Sequence, residues 1–472
     1  MNLSRSSAKL FLSQILSKFL GFVGLIFFAR ELGANQLGIF FLYQALLGIL
    51  AIPTDFGIRF SLVKRLSESG TSYEFISSAI ILKSILLFPI CAAILIFRQV
   101  INQYLGAELA LLLVVGLILQ EFANLSISIL KGELRVGLTA LPTLSQHFIY
   151  VIVGAILIFI FQFGVYSLVY AQLLGLFIMM VLALHRSSVE LKPPSYVHSK
   201  SLINYSKYAF ISSIGGLLFN WFDVIAIGYF LTQTDVGAYE TAWRVSGIVM
   251  LLSTAIATSI FPQISKWNEE GETARIEAVF TKSIIPSLML IIPSFFGVLL
   301  LSNDILTFVF GQEYNIASKV LIILMVSKIF QGVHKIAGQS LLGINQPNLA
   351  ARSSAISLVL NLVLNILLVW KIGIVGAAIG TVAATLVNNI LHVYYLSKFI
   401  AIEMPWKNIR WCILSSVIMS VVVYVYKISI GVESLISVFS VVIVGAVVYG
   451  LMLLSSKDLR EKSFSVLRGS IY

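Results

Sequence analysis

Apolar residues in this chain come in long unbroken runs, punctuated by short clusters of charged, Gly, Pro and Asn residues. Runs of about 18 residues or more let a helix cross a hydrocarbon core roughly 30 Å thick. Inside lipid each backbone N–H and C=O must be satisfied within the segment, so each run is read as a helix. The pattern predicts about fourteen spans, over 10–29, 37–58, 77–97, 107–130, 143–163, 165–184, 207–230, 239–262, 283–301, 317–342, 354–371, 373–396, 409–427 and 434–455. Two short turns, Gln162-Phe163-Gly164 and Lys371-Ile372-Gly373, divide runs that otherwise read as single long helices. The first run is too long for the apolar part of a secretion signal. Arg30-Glu31-Leu32-Gly33 follows it instead of a small-residue cleavage site, so it counts as the first span.

The same pattern contains a repeat. Leu32-Gly33-Ala34-Asn35-Gln36-Leu37-Gly38-Ile39-Phe40 matches Leu231-Thr232-Gln233-Thr234-Asp235-Val236-Gly237-Ala238-Tyr239 at an offset of 199. Gly132 and Leu138 match Gly343 and Leu349 at 211, and Phe163-Gly164-Val165 matches Ile372-Gly373-Ile374 at 209. Three collinear matches that include glycines and polar turn residues mark an internal duplication. Six spans per repeat is an even number, so both halves insert in the same sense and their pseudo-twofold axis runs along the membrane normal. The expected fold is an all-α integral membrane protein: two parallel six-helix bundles plus two C-terminal helices. In residues, this means a first bundle over 1–184, a cytoplasmic linker over 185–206, and a second bundle over 207–396. Residues 397–472 add two helices and a cytoplasmic tail. The linker, rich in Lys, Pro and Ser around Lys192-Pro193-Pro194-Ser195, reads as a hinge. The segment 263–282, with Glu269, Glu270, Glu272, Arg275 and Glu277, reads as a short solvated amphipathic helix.

Composition agrees with the pattern: 58% of the 472 residues are hydrophobic, 11% are charged, and the mean hydropathy is +0.97. A water-soluble domain carries about 25% charged residues, so this chain's apolar surplus faces lipid. The formal charge of +11 at first suggests an anionic partner such as nucleic acid, but its distribution has another meaning. Of the 32 Lys and Arg residues, 22 fall on one side of the predicted topology and 5 on the other. The last 5 (Lys18, Lys83, Arg244, Lys328 and Lys335) lie within spans. Basic loops stay in the cytoplasm, which puts both termini inside and leaves nucleic acid no role. Cys91 and Cys412 lie inside apolar runs, so a structural disulfide is not expected.

The Leu-Gly-x-x-x-x-Gly-x-Phe/Tyr pattern after span 1, its echo after span 7 and the six-plus-six-plus-two layout resemble the multidrug/oligosaccharidyl-lipid/polysaccharide exporter superfamily. Phe27-Phe28-Ala29-Arg30-Glu31-Leu32-Gly33 through Gly38 resembles the opening of bacterial polysaccharide (O-antigen, Wzx-type) flippases. Gly343-Ile344-Asn345-Gln346-Pro347 and the Gly373, Gly376, Ala377, Ala378, Gly380 stretch resemble the superfamily's second half. The resemblance covers roughly residues 1–455. It implies alternating-access translocation of undecaprenyl-pyrophosphate-linked oligosaccharide, an O-antigen or capsular or exopolysaccharide repeat unit, across the bacterial cytoplasmic (inner) membrane. The implied partners are that lipid-linked oligosaccharide, membrane lipid, and a polysaccharide polymerase with its chain-length regulators. No cofactor is implied beyond coupling to an H+ or Na+ gradient. Fourteen spans rather than twelve departs from the drug exporters of the superfamily.

Charges within spans are the candidate chemistry, because an ionised side chain at mid-bilayer costs about 2.5–3.5 kcal/mol on insertion scales. The candidate headgroup contacts are Arg30, Arg59, Lys83, Arg244, Lys328 and Lys335, since Arg and Lys suit a pyrophosphate. Arg30 and Arg59 sit near span ends, where snorkelling to the interface explains them equally well. Lys328, Gln331 and Lys335 share one helical face. Asp55, Glu121 and Asp223 are candidates for ion coupling or ion pairing, since a carboxylate buried alone binds a proton more readily than one in water. A structural Asp223–Arg244 pair is the simpler reading for those two. Asn361 and Asn365, one turn apart on one face, suit either the lining of a sugar path or a bridge between helices, and the bridge is the simpler reading. His147 and His334 have no partner at ligand spacing, so no metal site is expected. Trp406, Trp411, Tyr394 and Tyr395 read as interfacial anchors.

A drug or cation antiporter of the same superfamily is the alternative, and the basic balance of the span charges argues against it. A membrane polymerase or ligase needs a large outer loop with catalytic groups. The longest outer loop here, about 302–316, holds only Asp304 and Glu313, so the chain is not read as an enzyme. A non-transporting scaffold remains as a further alternative.

Overall fold

The structure, a computed structural model, describes residues 3–69, 73–188, 190 and 192–456. The basic tail residues Lys457, Arg460, Lys462 and Arg468 lie outside the described residues. The chain is an all-α integral membrane protein whose helices follow the apolar runs. In the first half they are α1 (Leu3–Asp55), α2 (Ile58–Ser69), α3 (Glu74–Ile96), α4 (Arg98–Leu105), α5 (Ala110–Gly132), α6 (Ala140–Ile156), α7 (Val165–Arg186) and α8 (Tyr196–Phe230). The second half continues with α9 (Gln233–Gly247), α10 (Met250–Glu269), α11 (Thr273–Leu288), α12 (Ile291–Ile305), α13 (Ser318–Gly343), α14 (Pro347–Leu396), α15 (Trp406–Ile430) and α16 (Leu435–Leu454).

Among the described residues, ten helical stretches are long and apolar enough to cross a membrane, or eleven if the bent pair of α9 and α10 is one span. This count is lower than the expected fourteen for a physical reason. α1 and α14 each run through two expected spans, kinked at Gly33 (φ 76°) and at Ile372-Gly373 (φ 64° at the glycine). Glycine reaches positive φ without the steric cost other residues meet, so the chain turns there without a loop. The expected span 239–262 is bent by 52° between α9 and α10, and 207–230 lies within α8. Apolar side chains on many helices point outward, as with Phe88 (77% exposed) and Ile436 (80%), which suits a surface wetted by lipid.

The chain forms two compact units, Met1–Gly237 and Ala238–Tyr472. In the first, Ile58, Leu62 and Leu66 of α2 pack with Phe75, Ile76 and Ala79 of α3, Leu125 and Ile129 of α5, and Leu202 of α8. The second half of the expected linker is therefore helical: α8 starts at Tyr196, not 207. Leu202 is fully buried, its carbonyl accepts from Ser61 Oγ at 2.9 Å, and His198 meets Phe75 edge-on at 4.4 Å. One buried leucine and its hydrogen bond are too sparse to leave a periodic signal in the sequence.

In the second unit, α10, α11 and α13 pack around Ile260, Ile264, Ile284 and Ile336. The segment expected as a short amphipathic helix is instead the end of α10, a turn at Gly271 (φ 72°) and the start of α11. The two arms of α14 are pinned by Ser357 Oγ donating to the Ala384 carbonyl at 2.7 Å and Asn361 Nδ2 to Thr381 Oγ1 at 3.3 Å. The last two helices are built into this unit. Cys412, Met419 and Val423 of α15 and Val441, Tyr449 and Leu453 of α16 share its core. Lys427 ion-pairs with Asp304 and donates to the Leu300 carbonyl at 3.0 Å, and Trp411 Nε1 donates to the Met452 carbonyl at 3.1 Å.

At the repeated glycine motif two stretches of the first unit's backbone approach closely. A methyl group on Gly38 would lie 1.7 Å from the Gln233 carbonyl oxygen, and one on Gly237 would lie 2.0 Å from that of Ala34. Ala34 and Gln233 are themselves related by the offset of 199, as are Asn35 and Thr234, whose side chains sit 3.5 Å apart. The contact is thus reciprocal, each copy's glycine receiving the other copy's carbonyl. We predict that Gly38→Ala or Gly237→Ala forces these backbones apart and costs about 1–3 kcal/mol. A lowered thermal unfolding midpoint of the detergent-solubilised protein, absent for Gly21→Ala in open space, is the check.

Candidate functional site

Two groups of charged side chains stand out, one in each unit. The first starts where α1 ends. Pro53 removes a backbone donor near the helix end, and Phe56 (φ 43°) with Gly57 (φ 75°) turns the chain into α2. Asp55 is then the last residue of α1, with Arg59 in the first turn of α2, and their side chains form an ion pair at 3.0 Å. Lys83, midway along α3, reaches the same place. Its Nζ donates to Asp55 Oδ1 at 2.7 Å and to Glu121 Oε2 on α5. Lys83 and Glu121 are both fully buried, Asp55 is 6% exposed, and the Arg59 side chain, at 27%, is the one that reaches outward. Four residues separated by up to 66 positions thus form one cluster with two positive and two negative groups. Lys83 and Arg59 are among the candidate headgroup contacts read from the sequence, and Asp55 and Glu121 among its candidates for ion coupling or ion pairing. The fold brings all four together in ion pairs.

The second group is built on α9 and α13. Arg244 Nε donates to Glu240 Oε1 one turn earlier on the same helix, at 2.8 Å. Between them Trp243 faces α13, where Lys328 Nζ lies 3.7 Å from the centre of the indole ring. Lys328 is 2% exposed, and Gln331 Oε1 is 3.5 Å from its Nζ. A desolvated cation over an indole face gains about 2 kcal/mol, which offsets part of the cost of burying it. The Arg244 side chain stays 35% exposed, within reach of an anion from outside the pair. One turn beyond Gln331, His334 packs edge-on against His392 at 4.6 Å and its Nε2 meets Asn388 Nδ2 at 3.2 Å.

Of the remaining candidates, Arg30 is exposed on α1, Lys335 is half-buried on α13, and Asp223 is buried on α8. Three participants were missed by sequence reasoning. Glu240 was legible, since acid and base at i and i+4 face one another on a helix. It also narrows the basic excess within the spans. Trp243 and His392 left no signal, because their partners come from another helix or another arm. Among the described residues no group of three or more His, Cys, Asp or Glu is placed to hold a metal ion.

The cluster in the first unit predicts an asymmetry. Lys83→Met strands the Glu121 carboxylate in a dry site, leaves Asp55 to Arg59 alone, and costs about 3–5 kcal/mol. Lys427→Met, at a pair whose lysine side chain is 29% exposed, costs about 1 kcal/mol or less. Unfolding midpoints of the two variants, compared in the same detergent, test the difference.

Comparison with known proteins agrees with these features. Residues 3–268 match the family model described as polysaccharide biosynthesis protein, and residues 209–367 match the MatE model. The chain is 49% identical over 467 residues, 99% of both chains, to the probable low-salt glycan biosynthesis flippase Agl15 of Haloferax volcanii. It is 28% identical to the probable flippase AglR of the same organism, again over 99% of both. In fold it is similar to the lipid II flippase MurJ in an inward closed conformation, with a TM-score of 0.79 at 18% identity over 94% of this chain and 97% of that one. A family match over more than half the chain and a full-length relative at 49% identity together place this chain in the polysaccharide biosynthesis protein family of membrane proteins.

Proposed function

We propose that this protein is a flippase that moves a lipid-linked oligosaccharide from the cytoplasmic to the outer face of the cell membrane. Arg244 and Lys328 are the contacts for its phosphate-bearing headgroup. The observation that carries this reading is Lys328 seated over the Trp243 indole, with the partly exposed Arg244 the next residue along α9. Guanidinium and ammonium groups suit phosphate oxygens. The indole offers a flat apolar face to the adjoining sugar ring. Lys335, half-buried on the same helix as Lys328, and the exposed Arg30 are secondary contacts. The full-length relatives that are named flippases support the activity.

Undecaprenyl pyrophosphate is one carrier with this headgroup chemistry. The proposal is made for the phosphate-linked glycan, since the two full-length relatives are archaeal. The excess of Lys and Arg on one side of the topology supports cytoplasmic termini. A polymerase and its chain-length regulators, acting on the delivered repeat unit, are the partners this reading implies. A cation antiporter is the second reading, favoured by the MatE match over 209–367. It has to accommodate Lys83, Lys328 and Arg244 within the spans.

The test is transport in proteoliposomes of a fluorescent lipid-linked oligosaccharide, followed by its exposure to an impermeant quencher. Losing one charge-assisted hydrogen bond costs about 1.5–3 kcal/mol, so Lys328→Ala and Arg244→Ala are each expected to slow transfer about 10- to 100-fold. Unchanged rates in both variants would remove the headgroup role. Export of an organic cation without any movement of the glycan lipid would overturn the substrate class.

A further inference from the structure

The duplication supplies an internal control for the charged cluster. In the second unit Ser253 of α10 donates through Oγ to the Ser287 carbonyl of α11 at 2.7 Å, and Ser287 Oγ donates to the Gly332 carbonyl of α13 at 3.0 Å. Ser253 and Ser287 are fully buried or nearly so. In sequence, Ser253 lies 198 positions after Asp55, Ser287 lies 204 after Lys83, and Gly332 lies 211 after Glu121. These offsets rise in the same way as those of the repeat itself, from 199 at Gly38 to 211 at Gly132. The same three-helix junction is therefore built twice. Two serines and a glycine close it in the second unit, while an aspartate, a lysine and a glutamate close it in the first.

This comparison separates fold from function. In the second unit small neutral groups hold the corresponding junction without charge. Nor does charge favour stability in the first, because a buried ion pair seldom outperforms neutral packing of similar volume. A second observation concerns Glu121 alone. Its Oε2 accepts from Lys83, but its Oε1 is buried with no hydrogen-bond partner among the described residues. A buried carboxylate oxygen left bare is costly for an ionised group, and a proton relieves that cost. The charges that act on Glu121 are Lys83 from α3, Arg59 from α2 and Asp55 from α1. On the α7 side, its neighbour Ala123 packs against the apolar Leu176 and Met179.

We propose that Glu121 is a reversible proton-binding site, with Lys83 as its switchable partner and Arg59 as the cluster's link to the exterior. In the deprotonated state Lys83 is shared between Asp55 and Glu121, and the four charges sum to zero. One proton taken from water adds to the Glu121 carboxyl and gives a neutral acid. Lys83 then belongs to Asp55 alone, and the cluster carries one net positive charge. Two consequences follow. The tie from α3 to α5 loosens while the tie from α3 to α1 tightens. The extra positive charge also favours an anion near the partly exposed Arg59, so proton uptake and anion binding strengthen each other, as linkage requires. The site rests on the geometry of the first unit, and only its use in transport rests on the flippase reading.

The test is infrared difference spectroscopy of the full-length protein in lipid, titrated from alkaline to acidic pH. The carbonyl stretch of a protonated carboxylic acid is expected to appear in the wild type, to be lost in Glu121→Gln and to persist in Asp223→Asn. A variant that copies the second junction, D55S/K83S/E121G, removes all three buried groups together and is expected to fold and to lack the band. It keeps the inference testable if the single variant is unstable. A band unchanged in Glu121→Gln and in the triple variant would overturn the proposal, as would a wild type with no such band. In the proteoliposome assay an inward-acid and an inward-alkaline gradient should give different wild-type rates, and Glu121→Gln should give equal ones. Equal wild-type rates under the two gradients, with the wild-type band intact, would remove the transport role and leave the proton site.

Discussion

A charge placed in hydrocarbon has to be neutralised within a few ångströms, because no water is at hand to do it. That constraint arranges the first unit around Lys83. Its ammonium group cannot reach an interface from the middle of α3, so the neighbouring helices have to bring acids to it: Asp55 from the end of α1 and Glu121 from α5. Asp55 in turn holds Arg59, which ties in α2. Four helices are thereby registered against one another by a single point. In an apolar bundle, where lipid competes on equal terms with any leucine contact, such a point fixes rotation and height in a way that packing alone does not.

The second unit answers the same constraint by different means. Arg244 is neutralised by Glu240 on its own helix, Lys328 by the face of Trp243, and Lys427 by Asp304 on α12. Two of these arrangements leave part of the cation outward-facing, whereas Lys83 is wholly enclosed. The two units therefore differ in how they handle the charges inside them. Where backbones must approach, the duplication is strict, with Gly38 and Gly237 each admitting the other copy's carbonyl. Where the three-helix junctions are filled, it is broken, with charge in one copy and serine in the other. Backbone geometry is shared because both halves must pack. The side chains that differ are free to specialise.

The reading of the chain from its sequence went as far as local physics reaches. Helices fell where apolar runs predicted them, and the glycines that punctuate those runs mark special backbone positions such as Gly33, Gly164 and Gly373. Boundaries were lost where one contact rather than a pattern decides. Leu202 and His198 tie α8 back towards Tyr196, and at Gly33 and Gly373 two helices meet at a kink with no loop between them. Asn361 was correctly read as a bridge because an amide in lipid has few other options. His334 was read as solitary, yet its partner His392 comes from the second arm of α14 and is 58 residues away.

The sequence by itself determined that the chain is an all-α membrane protein, which residues lie in its spans and which charges among them need an explanation. Each of these follows from a sum over neighbouring residues, since the free energy of transferring a segment into lipid depends on its own composition. Only the tertiary structure decided that Asp55, Arg59, Lys83 and Glu121 are one cluster and that Lys328 rests on Trp243. Whether two side chains meet depends on how helices far apart in sequence are rotated about their axes. That rotation is set by contacts that do not recur along the chain, and so leave no period in it to be read.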